Sequence, residues 1–259
     1  MNQTIELLLN RKSVRVYDAK EISEDVKATI FAATLRAPTA GNMTLYSIID
    51  VKDQFKKNIL ARTCDNQPFI AKAPLILLFL ADYQKWHDYF KLSGVEQLCN
   101  QKGIEMRTPK EGDLFIACCD ALIAAQTAVI AAESLGIGSC YIGDIMENYE
   151  EHKKLFDLPK YVFPISLICF GYPKQQQERR LSRRFDAKYV IFENQYRSLE
   201  NEGLKEMYRE RQEQVFGKRK EHDDAQNFGQ MIFLQKFNSD FALEMNRSIR
   251  AMMRAWIED

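Results

Sequence analysis

LFIACCDALIAAQTAVIAAESL, residues 114–135, is the most apolar stretch of the chain, and its reading decides the fold. Its length alone would suit a membrane span. Asp120, Gln126 and Glu133 fall inside it, however, and charge at membrane depth is costly. The stretch therefore reads as a helix buried within a folded domain. Asp113 suits its start, and Gly136 suits its end.

Outward from this helix the chain alternates in character. Ser139 to Gly143 is a short strand-like run. Val162 to Phe170 reads as a buried strand, bounded by Gly171-Tyr172-Pro173. On the other side, Ala73 to Ala81 is continuously apolar, as in a strand covered on both faces. Ser47 to Val51 is a further strand. Ser23 is a good cap for a helix that carries Val26, Ile30, Ala33 and Thr34 on one face. That helix must stop before Ala37-Pro38. Ile5 to Leu9 is a short apolar helix. Strands separated by helices imply a layered α+β or α/β domain.

The last third differs. Phe185 to Asn194 is irregular or extended, and Ser198 to Gln214 is a highly charged helix. A second helix, about Ser239 to Ile257, carries a stripe of Phe241, Met245, Ile249, Met252 and Trp256. The stripe fits packing on its own chain or across a dimer. The expected organisation is a core over residues 1–195 and a helical extension over 196–259.

Charge is balanced, with 36 Lys plus Arg against 36 Asp plus Glu, so nothing global argues for nucleic acid or a membrane as partner. The six cysteines form no C-x-x-C pair, and Met1 to Asn10 does not read as a signal segment. A reduced, cytoplasmic protein is the expectation. Several chemistries are disfavoured. There is no phosphate loop of the G-x-x-x-x-G-K-[ST] type, no G-x-G-x-x-G, no H-E-x-x-H among the three histidines and no G-x-S-x-G elbow. An enzyme without these groups must draw its chemistry from something bound.

Five segments are candidates for holding that group. Arg11-Lys12-Ser13-Val14-Arg15 would point Arg11, Ser13 and Arg15 the same way if extended, which suits a phosphate. The plain alternative is a solvated basic helix end. Ala37-Pro38-Thr39-Ala40-Gly41-Asn42 is a turn of small residues that lets a flat ligand approach the backbone. Gln67, just before the buried strand, offers an amide with both donor and acceptor. Gly138 to Gly143 forms a strand edge whose backbone can meet a planar ring, and Arg179-Arg180-Leu181-Ser182-Arg183-Arg184 is a dense cationic run.

In this order and spacing the segments resemble the FMN-dependent nitroreductase family, over about residues 5 to 185. Arg11 to Arg15 resembles its R-x-S-x-R segment, and Ala37 to Asn42 its A-P-S-x-x-N loop. Gly136 to Gly143 is similar to its G-L-G-x-x-Y-I-G strand. Gly171-Tyr172-Pro173 with Arg180-Leu181 resembles its closing G-Y-P and R-L-P. The Gln67 segment is similar to the NADPH-dependent, flavin-reducing subgroup. Departures are Thr39-Ala40 where serine is common, Met43-Thr44 after Asn42, and Glu178 where the family often has lysine.

The resemblance implies an α+β fold with a mixed, mostly antiparallel sheet flanked by helices, built as an intertwined homodimer. It implies bound FMN, with NADPH or NADH as co-substrate and a small-molecule electron acceptor such as a nitroaromatic, quinone or flavin, in ping-pong turnover. By the same resemblance Arg11, Lys12, Ser13, Arg15, Arg179 and Arg180 hold the phosphate end. Pro38, Thr39, Asn42 and Gln67 face the ring edge and ribityl chain, and Tyr141, Ile142 and Gly143 lie over the ring. No protein nucleophile is needed. Arg197, Lys205, Arg209 and Arg211 are candidates for selecting NADPH, against a reading as a solvated helix face. A flavin-holding protein without turnover, or a same-fold enzyme with other flavin chemistry, is the alternative.

Overall fold

The computed structural model describes residues 1–174, 181–217 and 225–258. Four strands, β1 (Tyr46–Asp50), β2 (Leu75–Asp82), β3 (Gly138–Ile142) and β4 (Val162–Gly171), form one sheet in the order β1-β2-β4-β3. Every pairing between them is antiparallel. The parallel contribution is a single bridge, Ser13 to Ser139, so the mixed sheet expected from the sequence is antiparallel among its named strands.

The helices of this region are α1 (Gln3–Asn10), α2 (Glu24–Thr34), α3 (Gln54–Thr63), α4 (Gln84–Leu92), α5 (Val95–Lys102), α6 (Glu111–Ser134) and α7 (Tyr149–Phe156). Their starts follow side-chain caps. Asn2 accepts from the Ile5 N–H, Ser23 from the Val26 N–H, and Asp53 from the Phe55 and Lys56 N–H groups. α6 begins two residues before Asp113. That residue occupies the third helical position and accepts the Lys110 N–H at 2.9 Å. Gly136 closes the helix as expected. Its φ is +75°, and the Ile137 N–H returns to the Ala132 carbonyl at 3.0 Å.

β2 runs through the middle of the core, and all eight of its residues are buried. Leu75, Leu77 and Phe79 join Ile30 of α2 and Ala121, Ala124 and Ala128 of α6 on one face of the sheet. Ile76, Leu78 and Leu80 join Leu60 of α3 and Cys140, Leu167 and Cys169 on the other. This period-two split is what a strand covered on both faces requires. The alanines give α6 its close approach to the sheet. α6 is the one helix among the described residues long and apolar enough to cross a membrane, and it is the core helix here. Its opposite side stays apolar and exposed, with Phe115 at 65%, Ile116 at 46%, Leu122 at 43% and Ile123 at 41%.

The chain divides into two compact units. One comprises Met1–Arg179 and Glu244–Asp259, the other Arg180–Leu243. In the second unit, α8 (Asn201–Phe216) and α9 (Phe228–Ile232) stand beside an irregular run with one turn of 3-10 helix, Ala187–Tyr189. Phe185 packs edge-on to Tyr208 at 5.2 Å, with the Arg211 guanidinium 3.8 Å above the Phe185 ring. The last helix, α10 (Asp240–Ile257), returns the chain to the first unit. There Met252 and Trp256 are buried with Leu45, Leu114, Tyr161 and Phe163. The Trp256 indole N–H donates to the Lys110 carbonyl at 3.2 Å, so the helix end is tied to the start of α6.

Candidate functional site

The segment after α1 lies along the free edge of β3. The Val14 N–H donates to the Ser139 carbonyl at 2.8 Å, and Tyr17 pairs with Pro173. This approach demands glycine at 138, because a Cβ there would collide with the Val14 side chain. Val14 is buried, whereas Arg11 and Ser13 are half-buried and Arg15 is exposed.

Arg11 carries the telling feature. Its Nη1 is buried and makes no hydrogen bond, although Glu133 Oε1 lies 3.8 Å away. That carboxylate is already engaged by the Ser139 hydroxyl at 2.7 Å. Burial pushes the Glu133 carboxyl up, while the Ser139 hydrogen bond and the Arg11 charge pull it down. A buried, unsatisfied guanidinium N–H costs on the order of 1–3 kcal/mol. An anionic oxygen at this point would remove the penalty. Two arginines and a hydroxyl on a backbone fixed by a strand edge are a donor set that fits the phosphate of FMN.

Two more segments gather here. The Arg15 guanidinium sits 5.8 Å from the centroid of the Phe69 ring, which brings the Gln67 loop alongside. That loop turns through left-handed Asp65 and Asn66, at φ 54° and 49°. Gln67 Nε2 donates to the Cys64 carbonyl at 3.0 Å, so one of its N–H donors is spent on the loop itself. On β3, Ile142 is buried, and Gly143 opens a 3-10 turn. The Tyr141 hydroxyl donates to Gln126 Oε1 at 3.1 Å.

The Pro38 loop is built differently. Pro38 follows α2, Thr39 is extended at φ −133° and ψ 152°, and Gly41, Asn42 and Thr44 are all left-handed. Such a path needs outside support. Asp120, buried in α6, supplies it: Oδ1 accepts the Ala40 N–H at 2.9 Å and Oδ2 the Leu45 N–H at 3.1 Å. Thr39 Oγ1 accepts the Thr44 N–H at 3.2 Å, and the Trp86 indole donates to the Met43 carbonyl at 2.7 Å. Asp120 was visible in the sequence only as a charge that argues against a membrane span. A lone carboxylate among alanines was the available signal for more.

The loop meets α6 at Asp120 and the arginine segment meets it at Glu133. Thirteen residues of helix separate them, about 20 Å at 1.5 Å per residue. Within one chain, then, the Arg11, Gln67 and Tyr141 segments come together, and Thr39 and Asn42 stand apart. Arg179 and Arg180 lie outside the described residues. Arg209 and Arg211 belong to the second unit, where with Arg183, Arg184 and Lys188 they line a cavity of about 1120 Å³. Lys205 pairs with Glu202 on the exposed face of α8. No group of His, Cys, Asp and Glu among the described residues could hold a metal.

Known proteins share the sequence pattern and the fold. Residues 8–172 match the nitroreductase family, a span that runs from the arginine segment to Tyr172. A Cr(VI) reductase of Pseudomonas sp. is 29% identical over 93% of each chain. The FMN reductase [NAD(P)H] of Bacillus subtilis is 31% identical over 90% of each. The structure of B. megaterium NfrA2 superposes with a TM-score of 0.78, at 27% identity and over the whole of both chains. The matched span contains α6, all the strands and four of the five segments. By sequence and by fold, this chain belongs to the nitroreductase family.

Proposed function

We propose that the protein binds FMN and uses it to carry electrons from NADPH or NADH to nitroaromatics, quinones or flavins. The observation that carries this reading is the buried Arg11 Nη1 without a hydrogen-bond partner, beside Ser13 and Arg15 at a strand edge. The names of the relatives, an FMN reductase and a Cr(VI) reductase, point to the same class of reaction.

When bound, FMN supplies the two-electron chemistry, and the protein supplies position and electrostatics. Arg11, Lys12, Ser13 and Arg15 hold the phosphate, with Arg179 and Arg180 as further cations. Arg15 brings positive charge to where negative charge builds on reduction. Gln67 and the backbone of Tyr141, Ile142 and Gly143 line the same edge. Pro38, Thr39 and Asn42 complete the site from a second copy of the chain. Two observations support a homodimer: the 20 Å gap along α6 between the halves of the site, and the exposed apolar side of α6. A helix apolar all round is a buried helix. Arg197, Lys205, Arg209 and Arg211 are the candidates for the extra phosphate of NADPH; Arg209 and Arg211 line a cavity in which Arg183 and Lys188 are already paired with Glu210 and Glu206. The six free cysteines suit a reducing, cytoplasmic setting.

The test is an absorbance spectrum of the purified protein, followed by anaerobic titration with each nucleotide. Flavin bands bleached by NADPH, and less readily so in an Arg211→Ala variant, are expected. Protein that cannot be reconstituted with FMN overturns the proposal, and flavin that neither nucleotide bleaches overturns its catalytic part.

A further inference from the structure

We propose that Asp120 is a positioning residue for the flavin site: it holds the Thr39–Asn42 loop in its binding conformation from beneath. The inference rests on the reading above, in which that loop faces FMN.

Three observations carry it. First, Asp120 is 2% exposed and stands in a helix face of Ala117, Ala121 and Ala124, where a carboxylate is costly to desolvate. A residue so placed is worth its cost only through its partners. Second, those partners are backbone N–H groups at the two ends of the loop, one on each carboxylate oxygen. Both lie at least 75 positions away in sequence, so the bonds fix tertiary placement and not local helix structure. Third, the loop between them holds three left-handed residues in four, Gly41, Asn42 and Thr44. Two of these are non-glycine residues, which hold that conformation only where the surroundings impose it. The negative charge also reaches Tyr46, the next residue after Leu45. Burial raises its phenol, and the Asp120 carboxylate raises it further.

A carboxylate is the side chain suited to this task. It accepts on both oxygens, whereas an amide accepts on one and turns a donor toward the other N–H. Asp120→Asn therefore keeps the shape of the residue and releases one end of the loop. The complementary variant is Ala40→Pro, which removes one of the two donors and leaves α6 untouched. Thr39 already has the extended backbone that a following proline requires.

The experiment measures FMN affinity by quenching of flavin fluorescence in the apoprotein, together with hydrogen exchange at the Ala40 and Leu45 amides. Asp53→Ala serves as the control, since it removes the N-terminal cap of α3 and lowers stability away from the loop. In Asp120→Asn, FMN binding is expected to weaken roughly tenfold, with faster exchange at one or both amides. Ala40→Pro is expected to weaken it similarly, and Asp53→Ala to leave it unchanged. If Asp120→Asn does not fold, Ala40→Pro decides. Unchanged affinity and unchanged exchange in a folded variant overturn the inference while leaving the flavin reading intact. Failure of the unaltered protein to bind FMN removes both.

Discussion

Arg11 is a side chain whose placement makes sense only with an anion beside it, as the proposed function supplies. Its buried Nη1 has no hydrogen-bond acceptor among the described residues. Arg11→Ala is therefore expected to weaken FMN binding by about 1.5–3 kcal/mol, the range for hydrogen bonds to charged groups. Its melting temperature without flavin should stay level or rise. Titration and thermal melts of the same sample check this, and a large loss of apoprotein stability would contradict it. Glu147 is a second residue with a cost. Burial, and then the neighbouring Asp144, Asp65 and Glu244, push its carboxyl up to about 7. A raised carboxyl favours the protonated form in the fold. The stability it contributes is thus complete below about pH 4.5 and is lost as pH rises towards 7. Glu147→Gln should melt higher than the unaltered protein at pH 8 and alike at pH 4.5. After solvent screening the gain is on the order of 1 kcal/mol. Equal melting temperatures at pH 8 would refute the assignment.

Among the four strands, β2 alone is buried at every position. Phe79→Ala removes a fully buried ring between β2 and α6 and should cost about 3–5 kcal/mol in denaturant unfolding. A loss below 1 kcal/mol would show that the two layers close over the gap. This strand was legible in the sequence because Leu75 to Ala81 are seven consecutive apolar residues, as a strand covered on both faces requires. α2, α6, β4 and α10 were legible through caps, runs and stripes. α3, α4, α5 and α7 were not. Their sequences are charged, and what they bury is often polar: Lys57 of α3, whose ammonium donates to the Ala73 carbonyl at 3.0 Å, and His87 and His152 of α4 and α7. The cap of α6 is Lys110, three residues before the expected Asp113, because Asp113 bonds backwards from inside the helix. The arginine, Gln67 and Tyr141 segments could be read as separate pieces. Their meeting at β3, and the dependence of the Pro38 loop on Asp120, could not, because sequence spacing does not encode contacts between residues 75 or more positions apart.

At the level of the whole molecule, the proposed site is divided. One chain presents the phosphate-binding half near Glu133 and the Pro38 loop near Asp120, on a helix whose outer side is apolar. Ile123→Glu should therefore convert a dimer into monomers in analytical ultracentrifugation, and flavin should be lost with it. Monomers that retain FMN with full affinity would show that one chain suffices.

The return of α10 has a consequence for synthesis. Trp256 and Met252 fill a cluster whose other members, Leu45, Leu114 and Phe163, leave the ribosome far earlier. At ~5–20 residues per second, the interval from Phe163 to Trp256 lasts roughly 5–20 s. Throughout it the nascent chain carries an open apolar socket at the head of α6. The first unit thus cannot close until Met252 and Trp256 have been made, and a premature stop before Met252 would release a chain with that socket empty, a substrate for chaperones or proteases.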